Sequence, residues 1–188
     1  MGSGRVVVLA GPSGVGKGTL LQGLRQRHPQ IHCSISATTR LPRPGEVHGQ
    51  HYFFVNPEQF TAMVANEELL EWATFAGHYY GTPRQPVEDR LGQGQLVILE
   101  IELEGARQVR KTFPHALQVF ILPPSMAELE TRLRQRGQDS PESIARRLQR
   151  AATEINAASE FDLQIVNDRM DQALEQLENV LFPASLPL

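Results

Sequence analysis

Cysteine is nearly absent: Cys33 is the only one in 188 residues. No intramolecular disulfide can form and no thiolate set exists for a structural zinc, which predicts a reducing, cytosolic setting. Long apolar runs are missing too. Near the start, Val6 to Ala10 is far too short for a membrane span or a secretory core, and Val6 stands where an N-myristoylation signal wants Ser or Thr. No membrane partner is expected. Charge of one sign is also lacking, with 18 basic against 21 acidic residues and a net charge of −3. That excludes a chain selected for bulk polyanion binding, so no nucleic-acid partner is expected, and the 40% apolar content excludes a disordered one. The six histidines show no metal-ligand spacing, and there is no repeat or low-complexity tract.

What the chain does have is length enough for one domain with a smaller insert, burying roughly 70% of the surface its unfolded form exposes. It also has arginine. Only Lys17 and Lys111 are lysines, so 16 of the 18 basic residues carry the planar fork that matches phosphate bidentately. Arg132, Arg134, Arg136, Arg146, Arg147 and Arg150 fall within 19 residues. Interleaved with acids, they read either as a solvated helix face or as a phosphate-directed cluster.

Residues 5–10 form a short β-branched run and predict a buried strand, and leucines at 20, 21 and 24 predict a helix over 19–27. The stretch from 30 to 82 changes texture, with Pro42, Pro44 and Tyr52-Phe53-Phe54, and predicts a mostly antiparallel β insert with one helix near 57–66. Further on, the pattern predicts helices at 84–91, 104–112, 126–135, 143–156 and 171–181 and strands at 95–101, 116–122 and 162–166. Ser125 is the expected cap of the third of these helices. Strand-helix-strand succession argues for a parallel sheet. The fold class is therefore α/β. The break at 136–141, between two arginine-bearing helices, reads as a hinged flap.

The strongest motif is Gly11-Pro12-Ser13-Gly14-Val15-Gly16-Lys17, which has the G-x-x-x-x-G-K spacing between a predicted strand and a predicted helix. Glycines let backbone N–H groups close on a phosphate, the helix N-terminus adds partial positive charge, and Lys17 reaches the outer phosphates. One departure is visible: Gly18 occupies the Ser/Thr position and the hydroxyl arrives at Thr19. A hydroxyl ligand to Mg²⁺ from position 18 is excluded, so the metal is expected on nucleotide phosphates and water, with an acid such as Glu100 farther out. Downstream, Arg40 and Arg43 bracket Pro42. Two readings stand for this pair: a clamp on a single phosphate, or a twisted edge hairpin with exposed arginines. Glu71, read alone, is an exposed acid beside Trp72.

The segments GPSGVGKGT, SISATTRLPRPGEVHGQHYFF, ELLEWATFAGHYYGTP, VILEIELEGARQV, RLRQRGQDSPESIARRL and FDLQIVND together resemble guanylate kinase, in order and over essentially the whole chain. The resemblance implies phosphorylation of GMP by ATP with Mg²⁺. It also implies a P-loop parallel-sheet core (1–33, 84–125, 151–188), a GMP-binding β insert (34–83) and a helical lid (126–150). By matching positions, Arg40, Arg43, Tyr52 and Tyr80 hold the GMP phosphate with Glu46 in support. Ser36, Glu71 and Thr82 read guanine, and Glu100 and Glu102 end a strand beside both nucleotides. Lys17, Arg40, Arg136 and Arg147 form the catalytic set, with Arg136 and Arg147 reaching the phosphates only on lid closure. ATP would be held by residues 11–19 with Arg132, Arg136 and, near adenine, Asn167. Glu100 stands where many members have Asp.

This set suffices for the chemistry implied. Phosphoryl transfer needs positioning and charge neutralisation more than covalent participation, and a GMP phosphate oxygen is already ionised at neutral pH. Guanine offers two adjacent donors that one carboxylate accepts together, whereas adenine presents a lone pair there. Two other readings compete: a scaffold module of the same fold that binds phosphopeptides, which need not keep Lys17 and the lid arginines, and a kinase for another nucleoside monophosphate, which should lack Glu71 and the Arg40 to Arg43 run.

Overall fold

The computed structural model describes residues 4–135 and 140–182. The apolar run forms β1 (Arg5–Ala10), buried from Val6 onward. The glycine loop leads into α1 (Lys17–Arg27), whose start precedes the leucine pattern because Gly18 is a poor helix former and hides the first turn. Two very short strands follow, β2 (His32–Cys33) and β3 (Ala37–Thr38), and then β4 (Phe53–Phe54) and α2 (Pro57–Ala65). A hairpin, β5 (Leu69–Phe75) and β6 (His78–Pro83), precedes α3 (Arg84–Gly92) and β7 (Leu96–Glu100). The remainder is α4 (Leu103–Thr112), β8 (Leu117–Leu122), α5 (Met126–Gln135), α6 (Pro141–Asn156), β9 (Leu163–Val166) and α7 (Met170–Leu181).

The chain divides into two compact units, one comprising residues up to Val8 with Gln30–Leu117, the other Leu9–Pro29 with the residues from Gln118 onward. In the first unit the strand order runs β2-β7-β1, and β2 lies parallel to β7 with Cys33 opposite Ile98. Two residues carry no alternation, so β2 leaves no periodic trace in the sequence. The same unit holds a four-stranded sheet ordered β4-β3-β6-β5. Its β3–β6 and β5–β6 pairings are antiparallel, whereas β3 and β4 run parallel, so the insert is mixed at that edge. Ala37, Phe60 and Leu69 form its small core.

In the second unit the order runs β1-β8-β9, with β8 parallel to β9 from Val119 opposite Leu163 to Leu122 opposite Val166. Leu20, Leu24, Phe120, Ile121, Leu129, Leu133, Leu177 and Leu181 are fully buried there, the inward stripes of helices and strand together. Ser125 accepts from the Glu128 N–H at 3.1 Å, as its position before α5 predicts. Among the described residues no helix is long and apolar enough to cross a membrane.

The insert helix is closed by a reciprocal cap. Asn56 Oδ1 accepts from the Gln59 N–H at 2.7 Å, and Gln59 Oε1 accepts from the Asn56 N–H at 2.9 Å. Asn56→Ala removes one partner at an exposed site and should lower stability by about 1 kcal/mol. Chemical denaturation measures it, and an unchanged midpoint would show that this cap is not needed.

Candidate active site

In the second unit the loop between β1 and α1 is built for an anion. Gly11, Gly14 and Gly16 all take positive φ, and Gly16, at φ 100°, is the left-handed residue from which α1 departs. No acid sits in the first turn of α1, so its unpaired N–H groups and dipole face the loop without a competing charge. Lys17 Nζ donates to the Gly11 carbonyl at 2.6 Å and the Pro12 carbonyl at 3.3 Å, folding the lysine over its own loop. A cavity of about 380 Å³ beside it is lined by Gly14, Gly16, Thr19, Arg132, Gln135, Asn167, Asp168 and Met170. The sequence reading named five of these; Gln135, Asp168 and Met170 were missed because they carry no motif.

Asn167 is a junction in this unit. Buried to 6% exposure, it donates from Nδ2 to the Val15 carbonyl at 2.8 Å, and its own carbonyl accepts from Arg132 Nη1 at 3.0 Å. Arg147 Nη1 donates to Ser13 Oγ at 3.0 Å. Arg147, which the resemblance brings to the phosphates on lid closure, thus touches the loop at Ser13. Arg136 lies outside the described residues. Gly18 is exposed and its missing side chain would meet nothing within 4 Å.

The first unit holds a second cluster of charged and aromatic groups. Arg40 Nη2 donates to Glu46 Oε1 at 2.8 Å, and Glu46 Oε2 accepts from the Arg43 N–H at 2.7 Å, so one carboxylate fixes both the guanidinium and the loop. The Arg40 guanidinium carbon lies 5.4 Å from the Tyr52 ring centroid and 5.8 Å from that of Phe54. Tyr52 in turn meets Tyr80 edge to face, with centroids 6.0 Å apart. Pairing with Glu46 raises the Arg40 pKa, and pairing with Arg40 lowers that of Glu46. Burial raises the Tyr52 pKa, with the Glu100 charge acting in the same direction. Arg40, Glu46, Tyr52 and Tyr80 are therefore together, and Arg43 is exposed beside them. An exposed edge hairpin does not describe Arg40.

Glu71 departs most from the reading of its residue alone. It is only 4% exposed, whereas the bare sequence suggested an exposed acid. A register shift between Leu69 and Glu71 breaks the alternation there, and Leu69, Leu70 and Glu71 are all buried. Thr82 Oγ1 donates to Glu71 Oε1 at 2.6 Å. Burial pushes the Glu71 carboxyl up to about 7, with Glu102 adding to the rise and Thr82 opposing it. Glu102 precedes α4, with no capping hydrogen bond from its side chain, and Glu100 ends β7. Ser36 is half-buried and accepts at its carbonyl from the Phe53 N–H at 2.9 Å.

A glycine loop closing on a lysine at a helix N-terminus defines a P-loop nucleotide-binding protein of the phosphoryl-transfer class. The guanylate kinase family model matches residues 3–184. A guanylate kinase from Thermosynechococcus vestitus is 64% identical over 179 residues, covering 95% of this chain and 94% of that protein. One from Trichodesmium erythraeum is 60% identical over 182 residues, covering 97% and 98%. The crystal structure of guanylate kinase from Anaplasma phagocytophilum superposes with a TM-score of 0.80 at 34% identity, covering 96% of this chain and 85% of that one. The chain belongs to the guanylate kinase family.

The buried carboxyl has a consequence for stability. Its pKa is about 7 in the folded protein against an ordinary 4.5, so between these values the native state binds the extra proton. Stability then falls as pH rises through that window, by on the order of 3 kcal/mol. Glu71→Gln keeps an acceptor for Thr82 and should flatten this dependence. Denaturation at pH 4.5, 6 and 8 measures it, and equal pH slopes in both proteins would contradict a buried, proton-retaining Glu71.

Proposed function

We propose that the protein transfers the γ-phosphoryl group of ATP to GMP, giving ADP and GDP. The observation that carries the choice of acceptor is the buried Glu71 carboxyl bonded to Thr82, in the same unit as the Arg40, Glu46, Tyr52 and Tyr80 cluster. Guanine N1–H and its exocyclic amine are adjacent donors, and one ionised carboxylate accepts both. Adenine would set a lone pair against that carboxylate. Sites built to hydrogen-bond a substrate reject the wrong one by about 10⁴.

Glu71, Thr82 and Ser36 read the base. Arg40, Arg43, Tyr52 and Tyr80 hold the GMP phosphate, with Glu46 keeping the Arg40 fork oriented before substrate arrives. Glu100 and Glu102 lie beside that subsite, acting on Tyr52 and Glu71 respectively. The loop from Gly11 to Thr19 wraps the ATP phosphates. Lys17 exchanges its loop carbonyls for phosphate oxygens, Arg147 and Arg136 neutralise charge on the transferring group, and Arg132 with Asn167 borders the adenosine end. The attacking GMP oxygen is already ionised, so no general base is required.

Mg²⁺, when bound with ATP, supplies further charge neutralisation at the phosphates. The donor set fits a metal carried chiefly by nucleotide oxygens and water. Gly18 offers no hydroxyl, Thr19 lines the cavity, and no group of three or more His, Cys, Asp or Glu among the described residues is arranged to hold a metal. The division into a core (1–33, 84–125, 151–188), a GMP insert (34–83) and a lid (126–150) belongs to this reading, as does a reducing cytoplasmic setting for Cys33.

The test is ADP release with ATP and each of GMP, AMP, CMP and UMP. Turnover with GMP alone supports the assignment, and turnover preferring another monophosphate, or none, contradicts it. Lys17→Ala should fold normally and lose about 10³ in kcat, equivalent to roughly 4 kcal/mol. An unchanged kcat in a folded variant would remove the loop lysine from the mechanism. Glu71→Gln should narrow the GMP over AMP ratio while leaving the KM for ATP unchanged; identical GMP kinetics would remove Glu71 from base reading.

A further inference from the structure

We propose that helix α4 sets the pose of Glu71, with Gly105 and Gln108 as positioning residues for guanine recognition. This rests on the reading of Glu71 as the group that accepts from guanine. β5 is the last strand of its sheet in the order β4-β3-β6-β5, so among the described residues no further strand pairs with its outer side. At Trp72, next to Glu71, a side chain takes that role: the Trp72 N–H donates to Gln108 Oε1 at 3.1 Å, and Gln108 Nε2 donates to the Trp72 carbonyl at 2.7 Å. One amide satisfies both backbone groups of a single residue, as a neighbouring strand would. The strand is therefore pinned to α4 at the residue after the register shift.

Gly105 lies one helical turn before Gln108, on the same face of α4. It is buried in the first turns of a helix, where glycine is the poorest former after proline. Its bare backbone has a spatial cause. A Cβ there would overlap Glu71 Oε2 and stand 2.9 Å from Glu71 Cδ. The carboxyl thus occupies the volume that any other residue at 105 would fill. Glu71 is held from two directions: Gln108 fixes its strand along the helix, and Gly105 sets how close the carboxyl comes to α4. Any shift displaces both acceptor oxygens from the two guanine donors. The P-loop belongs to the other unit.

Kinetic constants for both nucleotides and thermal midpoints, measured on single and double variants, test this. Gly105→Ala should raise the KM for GMP about tenfold or more, since misplacements near 1 Å cost up to about 10²-fold, and leave the KM for ATP within about twofold. In the Glu71→Ala background the same substitution should add no further loss for GMP, and its lowering of the Tm should vanish. Gln108→Leu should raise the KM for GMP selectively, and Gln108→Glu, which still accepts from the Trp72 N–H, should restore part of it. Equal shifts in both KM values, or a Gly105→Ala penalty that persists unchanged without Glu71, would overturn the proposal. If Gly105→Ala does not fold, the Gln108 pair decides by the same KM split. An unaltered GMP KM in Glu71→Ala would instead overturn the guanine reading, a result distinct from a damaging Glu71→Ala with no coupling to Gly105.

Discussion

A carboxyl group with almost no contact with water is the constraint on which the proposed GMP site depends. An ionised carboxylate is expensive to bury without donors, so Glu71 either keeps its proton or waits for a partner that brings hydrogens. Thr82 supplies one donor at 2.6 Å. A base with two adjacent N–H donors would complete the set, which makes the substrate part of the solution to the burial problem. The register shift in β5, the glycine in α4 and the short hydroxyl at Thr82 are intelligible together as the conditions under which a carboxyl can occupy that place. None of the three makes sense as packing for an apolar core.

On the proposed reading, the phosphate-directed groups solve the opposite problem, holding positive charge ready for an anion. Glu46 does this for Arg40 by fixing its fork while its second oxygen takes the Arg43 backbone N–H. Tyr52 and Phe54 lie beside the guanidinium and limit its freedom. Preorganisation of this kind spares the entropy of ordering a long side chain when ligand binds. The loop uses its own carbonyls for Lys17, and in the proposed reaction a phosphate would replace them at little loss because the ammonium would stay hydrogen-bonded throughout. Arginine outnumbers lysine 16 to 2 in the sequence, and Arg40, Arg132 and Arg147 are each in a defined polar contact.

Much of the fold was legible in the chain. The β-branched run at β1, the leucine spacing of α1 and the cap at Ser125 report local physics, and the structure has them where the pattern lies. β2 and β3 were not legible as strands, because two residues are too few to show alternation. The P-loop was legible because its glycines and lysine are contiguous. The burial of Glu71 was not, since a single acid between Leu70 and Trp72 looks exposed until the register shift in β5 is known, and that depends on the partner strand. Gln108 and Gly105 were invisible for the same reason: their significance is a distance to β5, more than 30 residues away in the chain.

A buried acid that must ionise to bind its ligand should give up its proton when the ligand arrives. GMP binding measured by calorimetry at pH 6.5, in buffers of different ionisation enthalpy, reads that proton directly. Wild type should release protons to the buffer on binding, in excess of the Glu71→Gln variant, in which any remaining release comes from the GMP phosphate. Equal proton release by the two proteins, or net uptake by wild type, would contradict a guanine site built on a buried carboxyl.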